Sequence, residues 1–394
     1  MSATDNMIPS ILDTDLYKLT QQQAIISKYP KAEVEYTFIN RGTHTFTADI
    51  VNEIREQIYA MSNLSLTKQG YDFLRSCCPY LNATYLDFLR GYRFQPNEIS
   101  TSLNSKNQLC LSITGPWYRT VLWEVPIMSI ISESYFNYAD NRSKEVVVSL
   151  AKKRTEKKRK EFEVMKILLS EFGTRRRHSY NVQKTVIEAL RGSDCCVGTS
   201  NVHFAMLNDM IPKGTQAHEF IQFHAAKFGY KMANLTSMKA WTDVYQGELG
   251  IVLPDTFTTD VFLRSFNSFY AKLFDGVRQD SGNPIEFTSK VIRHYNKLGI
   301  DPTTKTIIYS DGISSIEKIK EIVNCGQGSI RQAFGIGTWL TNDVDIKPLN
   351  MVIKMTGAKP FGMDWTSTCK LSDSVGKHTG KVEEVELCKK ILKI

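Results

Sequence analysis

No CxxC pair occurs anywhere in the chain, although it contains eight cysteines in 394 residues. Cys77 and Cys78 are adjacent, as are Cys195 and Cys196, while Cys110, Cys325, Cys369 and Cys388 stand alone. That arrangement excludes a disulfide framework and the usual zinc spacings, and packing is the expected role of the Cys195-Cys196 pair. The histidines add no metal site. In "HEFIQFH", His224 follows His218 by six residues, not by the four that put both rings on one helical face. No structural metal is therefore expected. Also missing is any run of 18 residues without charge, and "MSATDNMIPSILDTDLYKLT" has no basic start leading into an apolar segment. The expectation is a cytoplasmic protein that neither crosses nor coats a membrane. Long Gly/Ser linkers and low-complexity tracts are absent too. With 42% hydrophobic residues, the chain is long enough for two or three domains with a sizeable core.

Charge is not balanced. A net charge of +8 suits nucleic acid, a membrane surface or phosphorylated small molecules. The densest basic run is "AKKRTEKKRKEF", residues 151–162, followed by "GTRRRHS". Its mixture of Lys, Glu and small residues at helical spacing reads as a solvated helix face, without the interleaved aromatics of single-strand binders. RNA binding stays as the rival class, predicting a protein that carries nucleic acid.

Residues 32–39, "AEVEYTFI", alternate apolar and polar side chains, the pattern of a half-buried strand. Helical spacing follows in "NEIREQIYAMS" and "KQGYDFLRSCCPYL", then strands in "SKNQLCLSITGPWYRT", broken at Gly115-Pro116. An N-terminal α+β domain over 1–125 is expected, completed by about 350–394. From about residue 126 to 349 a unit recurs in which a short apolar run ends in Gly, Thr, Ser or Asp and a helical pattern follows. The run-ends are "CCVGTSN", "PKGTQAHEF", "GIVLPDT", "KLFDGVRQDSGNP", "KTIIYSDG" and "RQAFGIGT". A (β/α) barrel with its chemistry at the carboxyl ends of the strands gives this pattern, and so does an open doubly wound sheet.

Several of these ends suit an anionic sugar ligand. In "FGIGT" the two glycines, Gly335 and Gly337, let backbone N–H groups approach a phosphate, with Thr338 beside them. It is no Rossmann fingerprint, since Leu340 stands at the third glycine position, and no Walker lysine follows. Alone it reads as a tight turn. "VRQDSGNP" places a cation, a carboxylate, a hydroxyl and a glycine at one strand end. Arg278 suits anionic oxygen or ring contacts, Asp280 ribose hydroxyls or cation charge, and Ser281 and Gly282 a phosphate. "YSDGIS" repeats the theme with Asp311 and Gly312. In "SEFGTRRRHS", Phe172 and Arg175 suit a planar anion that stacks on one and pairs with the other. The three consecutive arginines cannot share a face, so one or two serve a site and the rest meet solvent. His178 and His203 read as packing residues. In "PKGTQAHEF", Thr215 suits a helix N-cap and His218 a solvated first-turn residue, absent anything further.

Taken in order, "LDTDLYKLT", "FGTRRRHS", "GTSN", "GTQAHEF", "LPDTFTTDVFLRSF", "VRQDSGNP", "YSDG" and "FGIGT" resemble the nicotinate phosphoribosyltransferase family of bacteria and fungi, from about residue 8 to the C-terminal region. The resemblance implies an irregular (β/α) barrel of the type II phosphoribosyltransferase kind, with an α+β domain built from both chain ends. It implies a reaction joining nicotinate to phosphoribosyl pyrophosphate, giving nicotinate mononucleotide and pyrophosphate with ATP hydrolysis, as a step of NAD salvage. His218 matches the histidine that such enzymes phosphorylate, and Thr215 a contact to nicotinate. A neutral imidazole is a competent nucleophile toward a γ-phosphate, and a helix N-terminus favours the resulting charge.

By the same resemblance, Tyr17 and Phe172 sandwich the pyridine ring, with Tyr17 reaching across from the partner of a homodimer. Arg175 and Arg278 flank the carboxylate and ribose. Asp280, Asp311, Gly312, Gly335, Gly337 and Thr338 hold the ribose phosphate and its Mg²⁺-bound pyrophosphate, and ATP is the cosubstrate. The related nicotinamide enzymes carry an aspartate at the place of Ser200, which accepts from a carboxamide. A carboxylate ligand is repelled there, so Ser200 implies nicotinate. Nicotinamide is the alternative substrate. Quinolinate fits less well, since that family is shorter and uses no phosphohistidine.

Overall fold

The computed structural model describes residues 6–374 and 376–394. The chain divides into two compact units of discontinuous segments. The first takes in the chain up to Gln23, Glu35–Lys213 and Ile336–Lys354, and the second Ala24–Val34, Gly214–Gly335 and Met355–Ile394. Eleven strands occur among the described residues: β1 (Glu33–Asn40), β2 (Ile99–Leu103), β3 (Leu109–Pro116), β4 (Leu169–Glu171), β5 (Cys196–Thr199), β6 (Ile251–Val252), β7 (Gly276–Gln279), β8 (Thr306–Tyr309), β9 (Arg331–Ile336), β10 (Met351–Lys359) and β11 (Thr366–Ser367). No helix among the described residues is long and apolar enough to cross a membrane.

In the first unit, β1 is the strand its alternation predicts. Tyr36 and Phe38 point inward and are buried. β3 lies between β1 and β2, and pairs antiparallel with β2 from Ile99↔Ile113 to Leu103↔Leu109. The basic run forms part of the helix Lys144–Val164, started by Ser143, whose side chain accepts from the Val146 N–H. Val147, Ala151, Thr155, Lys158 and Phe162, spaced three or four apart, form its buried face. Two of its cations are committed to ion pairs within the chain. Arg154 Nη1 and Lys158 Nζ reach the Asp343 carboxylate at 2.8 and 2.7 Å, and Arg154 also pairs with Asp345. β4 and β5 pair in parallel, with Glu171 opposite Thr199.

The second unit carries the alternation of strand and helix. β6, β7, β8 and β9 run parallel in that order. β7 is followed by the helix Pro284–Lys297, which Asn283 caps and Pro284 starts, and β8 by the helix Ile316–Gly326, which Ser315 caps. The register pairs Val252 with Val277, Gln279 with Tyr309 and Tyr309 with Phe334. Asp255, Asp280 and Ser310 therefore follow their strands at one carboxyl edge, and Gly335 lies near the end of β9 beside them in register. β7 and β8 approach so closely that a Cβ on Gly276 would stand 1.9 Å from the Thr306 carbonyl oxygen, which explains the glycine there. Behind the edge, Ile221, Tyr230, Ala233, Phe257, Val261, Leu371, Val385 and Leu392 share one buried cluster with Cys369 and Cys388.

Candidate active site

His218 opens the helix His218–Phe228, whose N-cap is Ala217, with no side-chain cap. The local reading of the stretch, a Thr215 cap and a solvated histidine, does not hold. Thr215 Oγ1 instead accepts from Arg278 Nη1 at 3.0 Å, and His218 is 6% exposed. Two strand ends supply what the imidazole needs: its Nε2 is 2.9 Å from Asp280 Oδ2, and its Nδ1 is 3.0 Å from Thr256 Oγ1. Burial, aided by the charge of Lys370, pushes the His218 pKa down to about 4 against the opposing pull of Asp255 and Asp280. The ring is neutral at pH 7. Burial alone would raise the Asp280 carboxyl, but Arg278, 2.8 Å away, and His218 hold it well below the usual carboxylate range. An ionised carboxylate only accepts, so the single imidazole proton sits on Nε2 and the lone pair on Nδ1 takes the Thr256 hydroxyl.

Asp255 stands behind this pair, 1% exposed. Its Oδ2 accepts from Ser281 Oγ at 2.6 Å and Lys370 Nζ at 2.9 Å. Its Oδ1 has no hydrogen-bond partner and lies 3.8 Å from His218 Nε2. Asp280 Oδ1 also accepts from Ser310 Oγ at 3.0 Å. Beyond β8, burial raises the Asp311 carboxyl, offset in part by Lys377 at 3.4 Å, while Asp280 and Asp255 add to the rise. Gly312 takes φ +67° in the same turn.

The loop of Ser281 and Gly282 is held from outside. Ser281 Oγ accepts from the Asp373 N–H at 3.0 Å, and the Gly282 N–H donates to Ser374 Oγ at 3.0 Å. Gly282 has φ +77°, and a Cβ there would stand 2.8 Å from the Asp373 Cβ. Gly282→Ala is expected to cost about 1–3 kcal/mol from the left-handed backbone and the overlap. A urea midpoint equal to wild type would show that the loop is not pinned there.

The first unit gathers a second group. Ser200 Oγ donates to Asp15 Oδ1 at 2.7 Å, and the Leu16 N–H to the Ser200 carbonyl at 2.8 Å. Arg175 brings Nε to 3.8 Å from Asp15 Oδ2 and Nη1 to 3.6 Å from Glu124 Oε1, while Lys18 Nζ sits 2.5 Å from Glu124 Oε2. Burial opposes the charge on Glu124, but Lys18 and Arg175 bring its pKa down to about 2. Tyr17 is buried beside them, and burial pushes its hydroxyl up. Phe172 is set by its backbone: its N–H donates to the Ile336 carbonyl at 2.8 Å, and a Cβ on Gly337 would come 3.0 Å from the Phe172 carbonyl oxygen. Thr338 begins the short helix Thr338–Thr341.

The three arginines divide differently from the expectation. Arg175 is 36% exposed in its side chain, whereas Arg177 is wholly buried and grips Asp13. His178 stacks on Phe136 and reaches Asp140 at 3.1 Å, and His203 meets the Tyr180 hydroxyl at 3.0 Å.

Tyr17, Arg175 and Ser200 thus share one charge network, and Thr215, His218, Arg278, Asp280 and Asp311 another. The chain matches the nicotinate phosphoribosyltransferase family over residues 167–394 and that family's N-terminal domain over residues 12–132. The chain belongs to this family. It is 47% identical over 389 residues to the nicotinate phosphoribosyltransferase of Chromohalobacter salexigens, covering 98% of each chain. With that of Desulforapulum autotrophicum it shares 45% over 393 residues, covering 98% of this chain and 99% of the other. The crystal structure of nicotinate phosphoribosyltransferase from Porphyromonas gingivalis superposes with a TM-score of 0.94 at 42% identity, covering 98% of this chain and all of that one. The architecture is accordingly the irregular (β/α) barrel with a second domain, and the chain is an enzyme of the family.

Three residues of this family member escaped the reading of its sequence. Asp255 and Thr256 lie in "LPDTFTTD", quoted as a motif but given no role, although their place at a run-end was the available signal. Lys370 carried none. It lies 115 residues from Asp255 in sequence, in a stretch of short β-like pieces.

Proposed function

We propose that this enzyme joins nicotinate to 5-phosphoribosyl 1-pyrophosphate, with ATP hydrolysis through a phosphohistidine at His218, and so supplies nicotinate mononucleotide to NAD salvage. The observation that carries the reading is the neutral imidazole of His218, buried between Asp280 and Thr256 at the carboxyl edge of β6 and β7. A neutral ring keeps a lone pair for the γ-phosphorus of ATP. The N–P bond forms, the bond to the β–γ bridging oxygen breaks, and ADP leaves with its electron pair. At Nδ1 this requires the Thr256 hydroxyl to turn away, and at Nε2 a change of tautomer. Water later takes the phosphoryl group, releasing phosphate.

Glycosyl transfer needs no protein nucleophile. The pyridine nitrogen bonds to the anomeric carbon as the bond to pyrophosphate breaks, so positioning and charge supply the rate. By the family resemblance we assign nicotinate to Tyr17, Phe172, Arg175, Ser200, Thr215 and Arg278, with Tyr17 and Phe172 on the pyridine ring, and the phosphoribosyl pyrophosphate to Arg278, Asp280, Ser281, Gly282, Asp311, Gly312, Gly335, Gly337 and Thr338.

Magnesium favours hard oxygen donors and binds through one or two carboxylates together with substrate phosphates. His218, Asp255 and Asp280 offer ligand atoms within 4.8 Å of one another, but that set includes an imidazole, which suits magnesium less than oxygen donors do. Asp280 and Asp311, which feel each other's charge, fit better and would hold the ion. When bound it offsets charge on the departing pyrophosphate.

The family resemblance also supports a cytoplasmic homodimer with Tyr17 acting in the partner's site. Mixed dimers of Tyr17→Ala and His218→Ala chains, each without ATP-stimulated activity alone, then recover it. The substrate is tested by mononucleotide formation from nicotinate, nicotinamide or quinolinate, each with and without ATP. Product from nicotinate, raised by ATP, supports the reading; a preference for nicotinamide overturns the substrate. The second outcome has one observation in its favour: the Ser200 hydroxyl proton is given to Asp15, leaving lone pairs suited to a carboxamide.

A further inference from the structure

The Ser200 hydroxyl has one proton, and Asp15 Oδ1 takes it at 2.7 Å. Toward a ligand, Ser200 then offers acceptor lone pairs only. A pyridine carboxylate is likewise acceptor-only, so the two oppose each other unless the hydrogen bond reverses. The absence of an aspartate at position 200 does not remove a carboxylate from this place, because Asp15 brings one, 2% exposed. Reversal needs a proton on Asp15. Its O–H then donates to Ser200 Oγ, and the Ser200 O–H turns to the ligand carboxylate.

Resting on the nicotinate reading above, we propose that Asp15 determines specificity: nicotinate binds together with one proton taken up by Asp15, and the Asp15–Ser200 hydrogen bond turns round. The charges agree. Arg175 and Lys18 supply two positive charges, against Glu124 and Asp15 with two negative when both are ionised. Neutral Asp15 leaves one positive charge for one nicotinate anion. Arg175, at 3.8 Å, stands beyond hydrogen-bond reach of Asp15 and does not hold it ionised as a close fork would.

The groups facing Asp15 are Arg175, Glu124, Ser200 and Thr174, with Tyr17, Lys18 and Glu171 around them. Burial, joined by the charge of Glu124, raises the Asp15 pKa more than Arg175, Ser200 and Thr174 lower it. Glu124 stays charged. Glu171, pushed up to about 7 by burial and held by Thr199 and Gln183, is the competing site for a proton. An anion beside Asp15 raises its pKa further in the complex. Nicotinate affinity is then greatest below the pKa of Asp15 in the free protein. It falls up to about tenfold per pH unit above that value, until the pKa in the complex is passed.

The experiment is calorimetric titration with nicotinate in buffers of differing ionisation enthalpy, for wild type, Asp15→Asn and Glu171→Gln, with nicotinamide as the control ligand. Proton uptake approaching one per nicotinate is expected for wild type and Glu171→Gln, and none with nicotinamide. In Asp15→Asn the side-chain amide donates to Ser200 Oγ at every pH. That variant should bind nicotinate with no uptake and no loss of affinity as pH rises, and its preference for nicotinate over nicotinamide should increase. Uptake that persists in Asp15→Asn, or vanishes only in Glu171→Gln, overturns the proposal. Wild type that binds nicotinate without uptake overturns it alone, whereas wild type that binds only nicotinamide overturns the function reading as well. Should Asp15→Asn not fold, Ser200→Ala breaks the same hydrogen bond, and uptake is then expected to fall; unchanged uptake refutes the relay.

Discussion

Replacing His218 with alanine or asparagine removes the gain that ATP gives to mononucleotide formation, and removes acid-labile label transferred from γ-labelled ATP. We expect about one phosphoryl group per wild-type chain and none in either variant, with the ATP-stimulated rate falling by about tenfold or more, at least ~1.4 kcal/mol of transition-state free energy. The expectation follows from the ring's surroundings. His218 is buried and neutral, bonded on one nitrogen to an ionised Asp280 and on the other to Thr256. Asparagine keeps a polar group near Thr256 and loses the nucleophile, so it separates chemistry from packing. Activity without ATP should survive in the asparagine variant, because the glycosyl transfer uses no protein nucleophile. Label retained in His218→Asn would place the phosphoryl group elsewhere.

Arg177→Ala is expected to be the most destabilising single change described here, by about 3–5 kcal/mol, read as a fall in the urea or thermal midpoint. Arg177 and Asp13 have no exposed side-chain surface, and Nη1 and Nη2 meet Oδ1 and Oδ2 at 2.9 Å each. Arg177 also donates to the Met7 carbonyl at 2.9 Å and to Gln183 at 3.1 Å. Removing it leaves the Asp13 carboxylate buried with Asn201 Nδ2, 2.7 Å away, as its remaining donor among these contacts. The double variant Arg177→Met with Asp13→Asn, which removes both charges of the pair, should lose less than the single change. A midpoint unchanged in Arg177→Ala would mean that the pair adds nothing to stability.

These two residues mark different degrees of legibility. His218 was singled out by its motif, yet the same stretch read locally suggested a solvated ring. Its burial depends on Asp255, Thr256 and Asp280, which come from other strand ends. Arg177 sat among three arginines whose alternatives were a site or solvent, and the interior was not among them. Ser200 was read as the absence of a carboxylate, whereas the fold returns one through Asp15, 185 residues away.

What the sequence determined by itself is what repeats or recurs at short range. The alternation of β1, the three-and-four spacing along Lys144–Val164, the capping by Ser143 and Asn283, and the order of the strand-end motifs all depend on neighbours a few residues apart. The order of the motifs was enough for the family resemblance, and only through it for the barrel, which periodicity left level with an open doubly wound sheet. Tertiary structure alone decided which charges meet: Lys370 with Asp255, Arg177 with Asp13, and Ser200 with Asp15. Such pairs bridge more than a hundred residues and leave no periodic trace. Their protonation is set by how far folding removes each group from water, a quantity no local stretch of sequence carries.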